Sequence, residues 1–304
     1  MNQPKIYNIT KDDVLRLKMV KKLNPKFDTM ANEALYKLLD ARYPNRGTLS
    51  VISYSLKKAF TLDGDHDKAN YWNDKGASLS KEVHNQEMES ELTGREKQNW
   101  KTQEQILEII KDLQSNMKTK TQYNRYLVLC LCVYQPPLRR GIYTTLKFLF
   151  NIKHDNKKDN YVLLLNKPVN KAYYIINNDK VSKYETFTKD ENKCIEIENK
   201  DLVQLLWNSY NRNKREYVFT DGNNKPYNES TIRILLEPLK LTFNILRSSY
   251  ISQYYMNNQF LKERTELARK MRHSVDIAQL KYQKRMPKEE ISISKEEEKE
   301  ENKQ

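Results

Sequence analysis

The sequence predicts a mainly α-helical protein with a small antiparallel β-sheet, divided into two domains and a short charged tail. Apolar residues recur at helical spacing through most of the 304 residues, whereas strand-like runs concentrate between residues 161 and 188. A polar stretch separates two regions of apolar periodicity. We therefore predict a helical first domain over residues 1–96, a mixed α/β second domain over 97–286 and a tail over 287–304.

The first domain shows helical spacing of apolar residues at Asp13 to Val20 and at Met30 to Leu39. Asp63-Gly64-Asp65 is a turn signal that separates two later helical patterns. The polar run Thr93 to Asn99 would suit a linker. Thr102, followed by Gln105, then has the spacing of a capping box and predicts the start of the next helix.

The second domain begins with helices and continues with strand signals at Tyr161 to Leu165, Ala172 to Ile176 and Tyr184 to Thr188. The turn Asn177 to Lys180 predicts a hairpin tip around Lys180. Helical patterns return afterwards and continue to Tyr282. Together these signals predict a small antiparallel sheet set among helices.

The net charge of the chain indicates which class of partner to expect. The net charge is +14 and the sequence pI about 9.4, which points to a polyanion. No apolar run approaches the ~20 residues that a bilayer crossing needs, and the first five residues lack the apolar core of a signal peptide. We expect an intracellular protein whose partner is nucleic acid and not a membrane, although a basic surface could also serve solubility alone.

The sequence lacks the motifs that are typical of nucleotide-binding and metal-binding sites. With six glycines the chain contains neither a P-loop nor a dinucleotide fingerprint, so we expect no nucleotide or other small-molecule substrate. Cys130 and Cys132 lie in an apolar run and are predicted to be buried packing residues. The odd count of three cysteines predicts a reducing compartment, and the four histidines form no metal-binding cluster. We expect no cofactor and no metal.

The tail differs from the rest of the chain. Its seven Glu and four Lys give a net charge of −3, which leaves +17 on the remainder. Such a segment is predicted to be solvated and disordered. A sharper alternative is that it packs on a neighbouring subunit or competes with DNA for a basic groove.

The most specific pattern lies near the end of the second domain. His273-Ser274 precedes a short helical run that contains Ala278 and ends at Tyr282, an offset of 282 − 273 = 9 residues. Upstream, Arg247 lies at the start of a helical pattern and is followed by Ser-Ser-Tyr. This order and spacing resemble the carboxyl-terminal half of the catalytic domain of tyrosine recombinases, the phage-type integrase family.

Other parts of the family pattern have matches in the same order. Pro136-Pro-Leu precedes Arg139, which fits the family's first arginine, with Arg140 as the alternate. Lys180 fits the family's lysine on a hairpin, with Lys183 as the alternate. The resemblance covers residues 97 to 286, and the first domain resembles the family's core-binding domain only weakly.

The resemblance implies a site-specific recombinase that cleaves and rejoins DNA through a 3′-phosphotyrosyl intermediate, without metal or ATP. Tyr282 would be the nucleophile, and the guanidiniums of Arg139 and Arg247 would hold the phosphate oxygens. His273 would add a hydrogen-bond donor, and Lys180 would protonate the departing 5′ oxygen. The partner would be double-stranded DNA, bound by a homotetramer on paired sites, with integration or excision of a mobile or viral genome as the use.

One position departs from the family pattern. Asn244 stands where a histidine usually precedes the second arginine by three residues. An amide can donate a hydrogen bond to a phosphate oxygen, but it cannot exchange a proton near neutral pH. Two alternatives stay open: a type IB DNA topoisomerase with similar catalytic residues, and a DNA-binding protein of the same fold that has lost catalysis.

Overall fold

The computed structural model of the chain describes residues 8–89, 92, 94–165, 171–182, 193–258 and 260–284. By its internal contacts the chain divides into two compact units, residues 1–89 and 90–304. Within the described ranges, every helix falls short of the length and apolarity that a membrane crossing requires.

The described part of the first unit is built from four helices. These are α1 (Lys11–Leu23), α2 (Asn32–Arg42), α3 (Arg46–Leu62) and α4 (His66–Met88). Gly64, with a φ of 77°, makes the turn between α3 and α4. A Cβ on Gly76 would lie 3.1 Å from the Tyr54 ring, so the two helices can approach this closely because Gly76 has no side chain.

A buried carboxylate ties α1 to α3. Asp13 accepts hydrogen bonds from Lys58 Nζ at 2.7 Å, Ser55 Oγ at 2.8 Å and Thr10 Oγ1 at 2.7 Å. Burial opposes ionisation of Asp13, but these partners outweigh it and hold the pKa of the carboxyl well below its usual range. The charge is therefore fully partnered inside this unit.

The described helices of the second unit surround a sheet. The helices are α5 (Gly94–Asn99), α6 (Gln103–Asn116), α7 (Lys120–Val133), α8 (Arg140–Thr145), α9 (Lys200–Arg212), α10 (Glu229–Ile234), α11 (Phe243–Asn257), α12 (Leu261–Lys270) and α13 (Val275–Ile277). A π-helical turn, Ala278–Tyr282, follows α13. Helix α5 occupies the segment that the sequence suggested as a linker.

The described strands form one mixed sheet in the order β1-β2-β3-β4. The strands are β1 (Leu146–Leu149), β2 (Asn160–Leu164), β3 (Ala172–Ile175) and β4 (Cys194–Glu196). Strands β2 and β3 pair antiparallel, as do β3 and β4, whereas β1 pairs parallel to β2.

The fold class is confirmed as mainly α with a small sheet, but the sheet is mixed and not wholly antiparallel. Strand β1 was not predicted, because its Leu-Lys-Phe-Leu sequence continues the apolar character of α8 without a break. The predicted strand Tyr184 to Thr188 and the tail 287–304 lie outside the described residues.

The core of the second unit determines where its candidate functional residues lie. Helix α7 is buried over Tyr126 to Cys132, so Cys130 and Cys132 are packing residues as predicted. Pro136 and Pro137 follow and disfavour helix, because a residue before proline is pushed to extended backbone. The chain therefore leaves α7 in an extended segment that leads directly to Arg139.

Candidate active site

Arg247 lies on the buried face of α11, one turn after the N-cap Thr242. Its side chain is 1% exposed. Nη1 donates to the carbonyl of Pro137 at 2.5 Å and Nη2 to the carbonyl of Met271 at 3.4 Å. Arg247 thus joins the segment before α8 to the segment after α12. Within the described part of the chain its Nε has no hydrogen-bond partner.

Arg139 lies at the N-cap of α8 and faces the same region. Its Nη1 donates to the carbonyl of Arg272 at 2.6 Å and lies 3.8 Å from Asp179 Oδ2. Burial and the neighbouring Arg247 charge lower the pKa of Arg139, with Asp179 acting in the opposite direction. An anion placed beside these two guanidiniums would relieve their repulsion.

The adjacent Arg140 is directed elsewhere. Its Nε and Nη2 donate to Glu229 Oε2 at 3.0 and 2.6 Å in an exposed ion pair. Arg139, the preferred residue of the pair, is therefore the one that the structure brings to Arg247.

Tyr282 ends the π-helical turn and lies against both His273 and Arg247. The guanidinium carbon of Arg247 is 4.7 Å from the centroid of the Tyr282 ring. The ring stacks on His273 with centroids 5.6 Å apart and an interplanar angle of 27°. Ser252 supports the backbone on both sides, since its Oγ donates to the Tyr282 carbonyl and accepts from the Lys284 N–H.

His273 is buried, at 3% exposed, and its two ring nitrogens differ. Nδ1 lies 3.1 Å from the carbonyl of Ser274, which can only accept, so Nδ1 carries the proton. Nε2 is then an acceptor, and none of the described residues donates a hydrogen bond to it. Burial, together with Arg247 and Arg139, lowers the pKa of His273 to about 3. The ring is therefore neutral near pH 7 in the free protein, and Nε2 offers an acceptor.

Lys180 lies in the turn 178–182 that follows β3, and its side chain is exposed. Within the described ranges no hydrogen bond or ion pair joins it to the arginines. Its neighbour Asp179 does reach the cluster, since that carboxylate contacts both Arg139 and Arg272. The alternate lysine, Lys183, lies outside the described residues.

Asn244 lies in the first turn of α11, three residues before Arg247, and is exposed. In the part of the chain that the structure describes, no hydrogen bond connects its amide to the other predicted site residues. The structure therefore places Tyr282 in contact with both Arg247 and His273, and it brings Arg139 close enough for its charge to act on Arg247 and His273. Among the described residues, Lys180 and Asn244 lie outside these contacts.

Two residues of the cluster were missed in the sequence. Arg272 is fully buried, and its Nε and Nη2 donate to the two carboxylate oxygens of Asp179, each at 3.1 Å. Both residues adjoin predicted ones, Arg272 beside His273 and Asp179 beside Lys180. The adjacency was visible, but nothing in the sequence indicated that the two pair with each other.

The cluster is built to receive an anion. Of the residues that the structure describes, the Asp179 carboxylate pairs with Arg272 and lies near Arg139, while Arg247 contacts no carboxylate. The three guanidiniums therefore keep 3 − 1 = 2 uncompensated positive charges. Among the described residues no group of three His, Cys, Asp or Glu side chains is arranged to hold a metal ion. The ionic partner that this arrangement favours is a phosphate or another oxyanion.

Comparison with known proteins gives a remote structural similarity. No protein-family model and no curated protein matches the chain. A crystal structure described as that of XerA recombinase is similar with a TM-score of 0.44 and 11% identity, over 95% of this chain and 90% of that chain.

Proposed function

We propose that this chain is a site-specific DNA recombinase that cleaves and rejoins DNA through a covalent bond between a DNA 3′-phosphate and Tyr282. The observation that carries the proposal is the position of the Tyr282 ring, 4.7 Å from Arg247 and stacked on His273. A phenol has an ordinary pKa of about 10, so it attacks phosphorus readily only beside positive charge and a proton acceptor.

The two arginines would hold the scissile phosphate. In the described contacts Arg139 uses one nitrogen on a carbonyl, and Arg247 keeps an unpartnered Nε. A buried donor without a partner is destabilising, so a phosphate oxygen that accepts from it is strongly favoured. The guanidiniums would also offset the charge that the phosphorus centre gains as the phenol attacks.

The proton transfers can be written for the whole step. Tyr282 Oη attacks phosphorus and its proton passes to Nε2 of His273. The bond from phosphorus to the 5′ oxygen breaks, and Lys180 gives a proton to that oxygen. Burial, and after it the charges of Arg247 and Arg139, depress the pKa of His273 in the free protein. Bound phosphate would offset the part due to the two charges, which makes the ring a better base in the complex than in the free protein. Reversal, with attack by a 5′-hydroxyl, reseals the strand.

The remaining roles follow from charge and exposure. Asn244, exposed beside Arg247, would contact the DNA backbone as a neutral hydrogen-bond donor. The net charge of +14 would neutralise phosphates along the duplex, with binding that weakens as salt rises.

Strand exchange between two duplexes requires several nucleophiles at once, so we propose a homotetramer on paired DNA sites inside the cell. Its use would be integration or excision of a mobile or viral genome.

Covalent capture tests the proposal. Nicked duplexes tiled across the DNA that flanks the gene serve as substrates, with each nick placed so that cleavage releases a short strand that diffuses away. We expect a protein–DNA adduct that survives detergent for the wild type and for Tyr254→Phe, and none for Tyr282→Phe. Tyr254 is a matched control because its ring packs in the same apolar cluster as Tyr282.

The same assay separates the two rival functions. A monomer that forms adducts with any supercoiled plasmid and relaxes it would be a type IB topoisomerase. A protein that retards the tiled duplexes in a gel but forms no adduct would be a catalytically inactive DNA-binding protein. Protein that neither binds nor cleaves any duplex would contradict all three.

A further inference from the structure

Arg272 has an unusual backbone for an arginine. Its φ is +59°, in the left-handed region that favours glycine, and the side chain is completely buried. Both features cost free energy, so a specific contact must hold the residue there. That contact is the paired hydrogen bonds of Nε and Nη2 to Asp179, with a further one from Nη2 to Ser182 Oγ at 3.0 Å.

Asp179 organises the turn that bears Lys180. Its carboxylate accepts from Val181 N at 3.1 Å and from Ser182 Oγ at 2.7 Å, while its own N–H donates to Ser182 Oγ. The Asp179 side chain is 2% exposed. Burial opposes its ionisation, but hydrogen bonds from Arg272 and Ser182 hold its pKa below the ordinary value. The turn 178–182 is therefore closed on itself. It is fastened to Arg272 through Asp179 and Ser182, and to β2 through the two hydrogen bonds between Asn178 and Asn160.

The ion pair also connects this turn to the phosphate-binding arginine. The Arg272 main-chain carbonyl accepts from Arg139 Nη1, and the next residue along the chain is His273. One buried pair thus joins the Lys180 turn, Arg139 and the segment that carries His273. Lys180 itself is exposed, so the position of its ammonium depends on the position of its turn.

We propose that Asp179 and Arg272 are positioning residues that fix the Lys180 turn beside the scissile phosphate, so that Lys180 can protonate the leaving 5′ oxygen. This inference rests on the proposed function. It adds two residues that influence the cleavage step through the position of Lys180. The phosphate itself would still be held by Arg139 and Arg247.

A sulfur-substituted substrate tests this role. In a duplex with sulfur in place of the bridging 5′ oxygen, the departing group is a thiolate, which needs no proton because a thiol has a pKa of only ~8.5. A defect in the general acid should therefore disappear on the sulfur substrate, whereas a defect in phosphate binding or folding should persist. The substrates are a nicked duplex that wild type cleaves and its sulfur analogue.

The variants are chosen to remove the ion pair and leave the fold intact. Asp179→Asn keeps the shape of the side chain, and Arg272→Gly relaxes a left-handed backbone while keeping the carbonyl that holds Arg139. Lys180→Ala removes the proposed acid. Asp159→Asn is the matched control, because Asp159 pairs with Lys147 in the same unit and not with a site residue.

On the oxygen substrate we expect Asp179→Asn and Arg272→Gly to slow adduct formation about tenfold or more, since general acids contribute ~10²–10⁴. On the sulfur substrate both should lie within about threefold of wild type. The double variant Asp179→Asn/Lys180→Ala should be no slower than Lys180→Ala alone. Asp159→Asn should match wild type on both substrates.

The inference would be overturned by a defect in Asp179→Asn that persists on the sulfur substrate, or by a normal rate of that variant on the oxygen substrate. Additive losses in the double variant would also overturn it, because they would place Asp179 outside the pathway through Lys180. A wild-type protein that forms no adduct on either substrate would instead contradict the proposed function on which the inference rests.

Discussion

Arg215 and Arg247 belong to the same unit, and each guanidinium lies over an aromatic ring. The Arg215 guanidinium is 5.3 Å from the Phe148 ring, and that of Arg247 is 4.7 Å from the Tyr282 ring. All three nitrogens of Arg215 donate to protein acceptors. Arg247 is the more deeply buried of the two, yet its Nε has no partner.

On the proposed function, the difference separates a structural arginine from one whose remaining partner is the DNA phosphate. Arg215 joins the end of α9, through Ser209, to the segment at Val218 that hydrogen-bonds to β1. Its partners are all present in the free protein. Arg247 shares its incomplete hydrogen bonding with His273, whose Nε2 is also buried and open. Buried polar groups are normally satisfied, so two open ones side by side with Tyr282 indicate a place for a polar ligand.

The largest expected effect compares these two arginines. Arg247→Lys should slow adduct formation by about 10²–10³, because one ammonium cannot replace a forked donor at the phosphate. Arg215→Lys should leave that rate near wild type but lower the free energy of unfolding by about 2–3 kcal/mol, through the loss of several buried hydrogen bonds. Adduct kinetics and urea denaturation measure both. If Arg247→Lys and Arg215→Lys lost the same activity and were equally stable, the two arginines would not differ in role.

The neighbouring pair Arg139 and Arg140 provides a second contrast. Arg139→Ala should slow adduct formation by about a hundredfold, because it removes a donor to the phosphate. Arg140→Ala breaks only an exposed ion pair with Glu229, which is worth ~0–1 kcal/mol of stability, and should leave the rate near that of wild type. Single-turnover cleavage of one duplex checks both variants. A larger loss in Arg140→Ala would mean that the two arginines have exchanged roles.

The open acceptor of His273 predicts a dependence of stability on pH. The folded pKa of about 3 lies below the ordinary value of 6.5, so the unfolded chain binds the proton more readily. The contribution of His273 is therefore complete above pH 6.5 and is lost as pH falls toward 3, at up to ~1.4 kcal/mol per pH unit. Among the described residues, the charged and titratable groups near the ring are Arg247, Arg139 and Tyr282.

Urea unfolding of the second unit at pH 7 and pH 5 measures this dependence. His273→Gln cannot gain a proton, so its stability should fall less between the two pH values than that of wild type. An identical fall in both proteins would show that His273 is not held neutral by its surroundings.

The smallest expected effect concerns the satisfied charge of the first unit. Asp13→Asn should lower the free energy of unfolding of that unit by ~1–3 kcal/mol, because Lys58, Ser55 and Thr10 lose a charged acceptor. Since the pKa of Asp13 is depressed, the stabilisation is present above pH ~3.8 and is lost below it. Denaturation at pH 7 checks the variant, and unchanged cleavage of DNA would confirm that this buried charge is structural.

Local signals in the sequence were sufficient for part of the site. The offset from His273 to Tyr282 falls within one short helical segment, so the sequence spacing translates directly into adjacent rings. Arg139 could be anticipated because two prolines must end α7 just before it.

The contacts that the sequence did not reveal are long-range. Asp179 and Arg272 are separated by 93 residues, and neither residue type nor spacing links them. The left-handed backbone of Arg272 could not be predicted from the sequence either, because glycine is the residue that normally indicates a positive φ. The parallel pairing of β1 was missed for a similar reason, since a four-residue apolar strand after a helix has no turn signal of its own.

The most direct test of the central claim is to identify the amino acid that becomes linked to DNA. The trapped adduct is digested with protease and nuclease, and the peptide that retains a nucleotide is sequenced by mass spectrometry. We predict a phosphodiester on Tyr282 and on no other of the 20 tyrosines. A nucleotide on Tyr250, Tyr254 or any other residue would contradict the claim that Arg247 and His273 activate Tyr282.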